Sequence, residues 1–178
     1  RMISTGMHGL VQNTIHFDNI EEELKHPTDR RIFAIGKALG NGMSVDTIHK
    51  NTAIDLWFLK KLKKIVEIEQ ALYKKELDPH LLLKAKKAGF SDYQIAKIKN
   101  QDLMEIRRLR LSMNIRPVIK QIDTLAAEYP AETNYLYLTY HGETNDVSPL
   151  SSAVVILGSG AYRIGSSVEF DWCCVNAV

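Results

Sequence analysis

Residues 51–75 read NTAIDLWFLKKLKKIVEIEQALYKK, a stretch without glycine or proline. Thr52 followed by Asp55 forms a start signal that resembles a capping box, with Asp in place of the usual Glu or Gln. Apolar residues then recur at helical spacing, beginning with Trp57 and Phe58. A helix of roughly 24 residues would be about 36 Å long, which is enough to cross a small domain. We therefore predict one long central helix, with shorter helices packed on its Trp57–Phe58 stripe.

Helix start signals recur on both sides of this stretch. Each begins with a small polar residue, which is sometimes followed three positions later by Glu or Gln. The predicted capping residues are Asn19, Thr28, Ser44, Asp78, Ser91 with Gln94, and Asp102 with Glu105. So many caps between residues 19 and 116 predict a bundle of short helices, and the fold class is therefore expected to be mainly α. Residues 1–18 show no periodicity and stay an unassigned lead-in.

The segment 117–152 has a different character. Residues 118–122 and 135–140 are short runs with β-branched and aromatic side chains, which favour strands. We predict a connecting segment with short strands here. Asp123 and Glu128 within it are candidates for catalytic carboxylates, although cap and surface roles are the favoured interpretation.

Residues 153–178 carry the pattern of another fold class. The run AVVIL at 153–157 is continuously apolar, which is typical of a strand buried in a parallel sheet. A glycine-rich turn follows, and a helix is predicted from Val168 onward. We therefore expect the first β-turn-α unit of an α/β domain. Because the chain starts at Arg1 and stops at Val178 inside this predicted helix, we expect it to be a piece of a longer polypeptide.

The turn after this strand has two interpretations. Gly158 and Gly160 resemble the start of a dinucleotide-binding fingerprint, but Arg163 occupies the position of its third glycine and Gly165 comes two residues later. The spacing favours a structural turn formed by Gly158, Gly160 and Gly165. Arg163 and Glu169 flank this turn at a sheet edge where small anions bind in related folds. The alternative for this pair is a salt bridge between the two side chains or with their neighbours.

Residues 89–96, GFSDYQIA, resemble the turn of a helix-turn-helix unit. Arg107, Arg108, Arg110 and Arg116 follow and could contact phosphates. The alternative is an αα-hairpin with ordinary caps. A net charge of only +2 favours the αα-hairpin over a nucleic-acid-binding module.

The composition excludes several other classes. With 45% apolar and 25% charged residues the chain is an ordinary globular sequence, and it has no apolar run near the roughly 18 residues of a membrane span. Residues 1–4 lack the apolar core of a secretory signal. The only cysteines, Cys173 and Cys174, are adjacent, and the six histidines show no metal-like pairing. We predict a cytoplasmic protein without a metal site or a membrane partner.

Three groups of segments, in the same order along the chain, together resemble the large chain of carbamoyl-phosphate synthetase. The resemblance covers roughly residues 19–178 and is far more specific than a single glycine pattern. It depends on PTDRRI at 27–32 leading into GMSVD at 42–46 and TAIDLWFL at 52–59, on QIDTLAAE at 121–128, and on LGSGAYRIGSSVEFDWC at 157–173.

This resemblance implies a division of the chain. Residues 19–116 would be the oligomerisation domain between the two ATP-grasp halves of the enzyme, and residues 153–178 would open the pre-ATP-grasp subdomain of the second half. The family makes carbamoyl phosphate from bicarbonate, glutamine-derived ammonia and two ATP. By resemblance, Glu169 would lie along the route of the carbamate intermediate, with Arg163 nearby.

The resemblance also sets expectations for activity and partners. The chain holds no ATP-grasp fold and no glutaminase, so it is expected to be inactive alone and to bind no cofactor, while ATP and Mg or Mn belong to the parent enzyme. Expected partners are a second copy, the two ATP-grasp halves and the glutaminase, with no nucleic acid. Residues 134–140 and Ser166–Ser167 are most similar to the eukaryotic multifunctional pyrimidine type, and arginine and urea-cycle relatives stay open. A helix-turn-helix DNA-binding module and the start of an NAD-binding enzyme are the alternatives.

Overall fold

The computed structural model describes residues 7–130, 135–148, 152–154 and 176. In this part of the chain the mainly α fold class is confirmed, because helices dominate and a single two-stranded sheet accompanies them. The helices are α1 Ile20–Lys25, α2 Arg31–Gly40, α3 Val45–Thr52, α4 Leu56–Lys74, α5 Pro79–Lys87, α6 Asp92–Lys99 and α7 Leu103–Ser112. The strands are β1 Val118–Gln121 and β2 Leu136–Thr139. The predicted β-turn-α unit at 153–178 lies almost entirely outside the described residues.

Helix α4 is the centre of the bundle. It is 19 residues long and packs against α2, α3, α5 and α6. Leu59, Val66, Ile68 and Leu72 are its buried side chains. The prediction that one long helix organises the domain is confirmed.

The predicted start of this helix is wrong. Ala53 has a φ of 55°, a left-handed conformation that ends α3 at Thr52. The Thr52 hydroxyl donates to the carbonyl of Ile48 at 2.7 Å and so belongs to the end of α3. Asp55 is the true cap, since its carboxylate accepts a hydrogen bond from the Trp57 amide at 2.7 Å. Residues 51–52 therefore belong to α3, the helix predicted after Ser44, and the long helix begins only at Leu56.

The predicted packing stripe is also wrong. Trp57 and Phe58 are 59% and 58% exposed, whereas Leu59 is fully buried. Leu59 and Val66 are seven residues apart and share one face of the helix. The other helices pack on this face, and the two aromatic rings point away from it because they lie about 100° and 200° around the helix from Leu59.

Most predicted caps are confirmed. Asn19, Ser44 and Asp78 accept backbone hydrogen bonds at the starts of α1, α3 and α5. Both predicted capping boxes, Ser91 with Gln94 and Asp102 with Glu105, are present. Gly89, with a φ of 90°, follows the end of α5 as expected.

The predicted cap of α2 at Thr28 is wrong. Helix α2 begins at Arg31 and has no side-chain cap. The Thr28 backbone carbonyl accepts from the Arg31 amide at 3.2 Å instead. Arg30 already has a helical backbone, so the helix starts on main-chain bonds and the Thr28 hydroxyl is not needed.

The two predicted strands form an antiparallel hairpin. Val118 lies opposite Thr139, and Gln121 lies opposite Leu136. Polar side chains after β2 cover the open edge of β1: Asn145 accepts from the Ile119 amide at 2.9 Å, and Asp146 accepts from the Gln121 amide at 3.0 Å.

Residues 7–18, which we call the strap, cross the helices without regular structure. Val11 and Phe17 are nonetheless buried in the core of the bundle. Gly36 on α2 lets the strap lie close to this helix, because a Cβ at that position would lie 3.1 Å from the Leu10 carbonyl oxygen. The guanidinium carbon of Arg30 lies 5.0 Å from the centre of the Phe17 ring. Among the described residues, no helix has the length and apolar content needed to cross a membrane.

Candidate functional site

The site residues predicted at the C-terminal turn lie outside the part of the chain that the structure describes. This applies to Arg163 and Glu169 and to the turn glycines Gly158, Gly160 and Gly165, so their roles remain predictions. The described residues present three other features with chemistry of interest. These are a buried charged cluster between α5, α6 and α7, a groove under the strap, and an exposed aromatic pair on α4.

The charged cluster consists of Lys86, Asp92 and Arg110. Lys86 Nζ lies 2.6 Å from Asp92 Oδ1, and Arg110 Nη2 lies 3.0 Å from Asp92 Oδ2. Arg110 Nε also donates to Asp92, and Arg110 Nη1 donates to the Ile115 carbonyl at 2.8 Å. The side chains of Lys86 and Arg110 are 7% exposed and that of Asp92 is 13% exposed. The carboxylate of Asp92 therefore forms ion pairs with two almost buried cations.

The cluster shifts the acidity of its own groups. Burial raises the pKa of Asp92, but the hydrogen bonds and charges of Lys86 and Arg110 outweigh this, so the pKa of Asp92 lies below its ordinary value. This shift favours the ionised form of Asp92 in the folded protein.

Tyr140 extends the cluster to the hairpin. Lys86 Nζ lies 5.2 Å above the centre of the Tyr140 ring, and Arg110 Cζ lies 5.9 Å from it. Burial raises the pKa of the Tyr140 hydroxyl, while the charge of Arg110 lowers it by less. The next residue, His141, places Nε2 3.0 Å from the Lys87 carbonyl oxygen. These contacts attach the end of β2 to the helical bundle.

The same contacts bear on the helix-turn-helix interpretation. Ser91 and Gln94 form an ordinary capping box, and Arg110 is bound inside the protein to Asp92. Arg110 is therefore not available to phosphates, which corrects its predicted grouping with Arg107 and Arg108. Residues 89–112 form the αα-hairpin that the balanced charge favours, and no contact in the described residues points to nucleic acid.

The groove under the strap has a volume of about 530 Å³, within the usual range of ligand pockets. Its walls include Gln12, Lys37, Glu69, Tyr73 and Lys97. Burial raises the pKa of Glu69, and a hydrogen bond from the Gln12 amide partly offsets this. Gln12 also donates to the Tyr73 hydroxyl at 2.9 Å, and Lys97 donates to the Gln12 carbonyl at 3.2 Å. Since the polar groups bond to one another across it, the groove is best described as the junction between strap and bundle.

Asp123, a candidate carboxylate, has a structural role. Its side chain accepts hydrogen bonds from the amides of Leu125 at 2.9 Å and Ala127 at 2.6 Å. These bonds hold Ala126 and Ala127 in left-handed conformations. Glu128 is exposed in the same turn. The described part of the chain contains no cluster of three or more His, Cys, Asp or Glu that could hold a metal ion.

Comparison with known families decides the assignment. Residues 1–114 match the model of the oligomerisation domain of the carbamoyl-phosphate synthetase large chain. The chain belongs to this family. Residues 151–178 match the model of the carbamoyl phosphate synthase pre-ATP-grasp domain. The resemblance found in the three groups of segments is therefore confirmed, and the match also includes residues 1–18, which the sequence alone left unassigned.

Curated relatives of the carbamoyl-phosphate synthetase family match most of the chain. It is 49% identical to the multifunctional protein CAD of Squalus acanthias over 176 residues, which cover 94% of this chain and 8% of the relative. It is 51% identical to the carbamoyl phosphate synthase arginine-specific large chain of Eremothecium gossypii, and the match covers 94% of this chain and 16% of the relative. It is 48% identical to the mitochondrial ammonia-type carbamoyl-phosphate synthase of Mus musculus, and the match covers 90% of this chain and 11% of the relative. The chain thus spans less than a fifth of the length of these relatives.

The sequence alone did not predict two features of the structure, the buried charged cluster and the packing of the strap. The Lys86–Asp92–Arg110 cluster joins residues 6 and 18 positions apart and carries no local signature. The strap lacks periodicity because its residues bond to helices that are far away in sequence. The apolar pattern places Trp57 and Phe58 in the core, whereas both side chains are exposed.

Proposed function

We propose that this chain is part of a glutamine-dependent carbamoyl-phosphate synthetase and serves its self-association and interdomain scaffolding. The supporting observation is the oligomerisation-domain match at residues 1–114, over a bundle of helices, with a pre-ATP-grasp match later in the chain at residues 151–178. We assign residues 19–116 to the oligomerisation domain, residues 117–152 to the connection, and residues 153–178 to the start of the pre-ATP-grasp subdomain. The burial of Val11 and Phe17 supports adding the strap to the first unit.

The parent enzyme would join bicarbonate and glutamine-derived ammonia at the expense of two ATP. ATP and its Mg or Mn would bind in the ATP-grasp halves, outside this chain, and the glutaminase would be a further partner. The product would enter pyrimidine or arginine synthesis, because a multifunctional relative and an arginine-specific relative match at 49% and 51% identity. A cytoplasmic location is part of the proposal.

The proposal is tested on the native polypeptide that carries this segment. An antibody to residues 19–116 should detect a chain many times larger than 20.2 kDa on a denaturing gel. The immunopurified protein should incorporate labelled bicarbonate into carbamoyl phosphate only when both glutamine and ATP are present. Its native mass should be a multiple of its denatured mass. A polypeptide near 20.2 kDa without this incorporation would contradict the proposal.

A second experiment tests the proposed carbamate route. In the intact enzyme, Glu169→Lys should lower carbamoyl-phosphate synthesis by about tenfold, or 1.4 kcal/mol in the barrier. The bicarbonate-dependent ATPase of the first half should change far less, because it acts before the carbamate moves. Glu128→Lys, a charge reversal in the exposed turn, is the matched control. Equal loss of both activities would argue against a role along the route.

A further inference from the structure

Two large aromatic side chains stand side by side on the surface at the start of α4. Trp57 and Phe58 are each more than half exposed. Their rings meet edge to face, with centroids 5.0 Å apart and planes at 87°. Tryptophan is enriched among residues that dominate binding energy at interfaces, and a contiguous apolar patch on a surface marks an interaction site.

The helix backbone beneath the pair is held on both sides. Asp55 caps the helix directly before the pair, and the fully buried Leu59 anchors the helix directly after it. Lys61 Nζ lies 4.8 Å from the centre of the Trp57 ring. A partner that buries these rings would therefore meet a helix that is already formed, and would not have to order this backbone.

The exposed positions of α4 that follow the pair are basic. Lys60, Lys61, Lys63 and Lys64 are all exposed, and the first acidic residue within α4 is Glu67. A partner face with carboxylates around an apolar pocket would complement this surface. A second copy presenting the same face would bring lysines against lysines, which is unfavourable when the charges are desolvated.

We propose that the Trp57–Phe58 face and its lysines dock into an acidic, apolar-centred surface elsewhere on the same polypeptide. The inference rests on the proposed function, because it requires that the chain be one part of a larger enzyme. This chain covers only 8% to 16% of the relatives' length, so the rest of such a polypeptide would contain the domains to which this face could dock. Self-association would then use other faces of the bundle.

The test is site-specific photo-crosslinking in the intact polypeptide. Trp57 is replaced by the photoreactive p-benzoylphenylalanine, and the crosslinked peptides are identified by mass spectrometry. The matched control places the same group at Tyr129, which is 73% exposed beside the turn that Asp123 holds. We expect a crosslink within one polypeptide, to a peptide rich in Asp and Glu, with a yield about tenfold above the control. Reversing Lys60, Lys61 and Lys64 to Glu should reduce that yield to the control level.

Each other outcome overturns the inference. A crosslinked species of twice the mass would show that a second copy occupies the face. A yield no higher than that at Tyr129 would show that the face is free. Glutamine-dependent carbamoyl-phosphate synthesis is assayed in the same unmodified preparation, so a failure of the proposed function is seen separately from a failure of the docking surface.

Discussion

Replacing Asp92 with asparagine is expected to destabilise the chain by about 3–5 kcal/mol, the usual cost of removing one partner from a buried ion pair. The substitution preserves size and keeps a hydrogen-bond acceptor. It removes the negative charge that Asp92 places between Lys86 and Arg110, both almost buried. Urea unfolding followed by far-ultraviolet circular dichroism measures the loss.

The matched control is Asp146→Asn in the hairpin. Asp146 pairs with Lys120 at 2.7 Å, much as Asp92 pairs with Lys86, but the two side chains are 38% and 26% exposed. An exposed pair contributes about 0–1 kcal/mol because water and salt screen it. Similar losses for both variants would contradict the view that burial of Lys86 and Arg110 makes the Asp92 cluster important.

The cluster also predicts a direction for the pH dependence. The pKa of Asp92 is lowered in the folded state, so its stabilising contribution is present above the ordinary pKa of an aspartate, about 3.9. It is lost as the pH falls from there through the lower folded pKa. The difference in unfolding free energy between the native chain and Asp92→Asn should therefore shrink below about pH 4 and stay constant toward neutral pH.

Replacing Leu59 with alanine is expected to cost about 2–5 kcal/mol, the usual range for a large buried side chain that leaves a cavity. Leu59 is fully buried in α4, where the helix packs against its neighbours. Its neighbour Phe58 is 58% exposed, so Phe58→Ala should change the stability of the isolated chain by no more than about 0.5 kcal/mol. Urea unfolding of the two variants gives the comparison.

The decisive result is which of the two variants, Leu59→Ala or Phe58→Ala, loses more free energy of unfolding. A larger loss for Phe58→Ala would mean that the aromatic stripe belongs to the core of the bundle, as the sequence pattern suggested. It would also remove the exposed face on which the proposed docking surface depends.

Local chemistry was enough to predict where most helices begin. A cap is a bond between a side chain and an amide two or three residues away, so Asn19, Asp78 and the two capping boxes could be recognised without knowing the fold. The choice between Thr52 and Asp55 could not be made in this way. Both residues are suitable caps. Because the left-handed turn at Ala53 ends α3 after Thr52, Asp55 is the residue that caps α4.

Family membership was also readable from the order of short segments along the chain, and the domain match confirmed it. Periodicity predicted that α4 has an apolar side, but it did not show which apolar residues are covered. Leu59 and Phe58 are adjacent and both apolar, and only the positions of the neighbouring helices bury one and expose the other. The cluster of Lys86, Asp92 and Arg110 likewise formed only when α5, α6 and α7 came together, because burial and ion pairing depend on contacts between residues that are distant in the sequence.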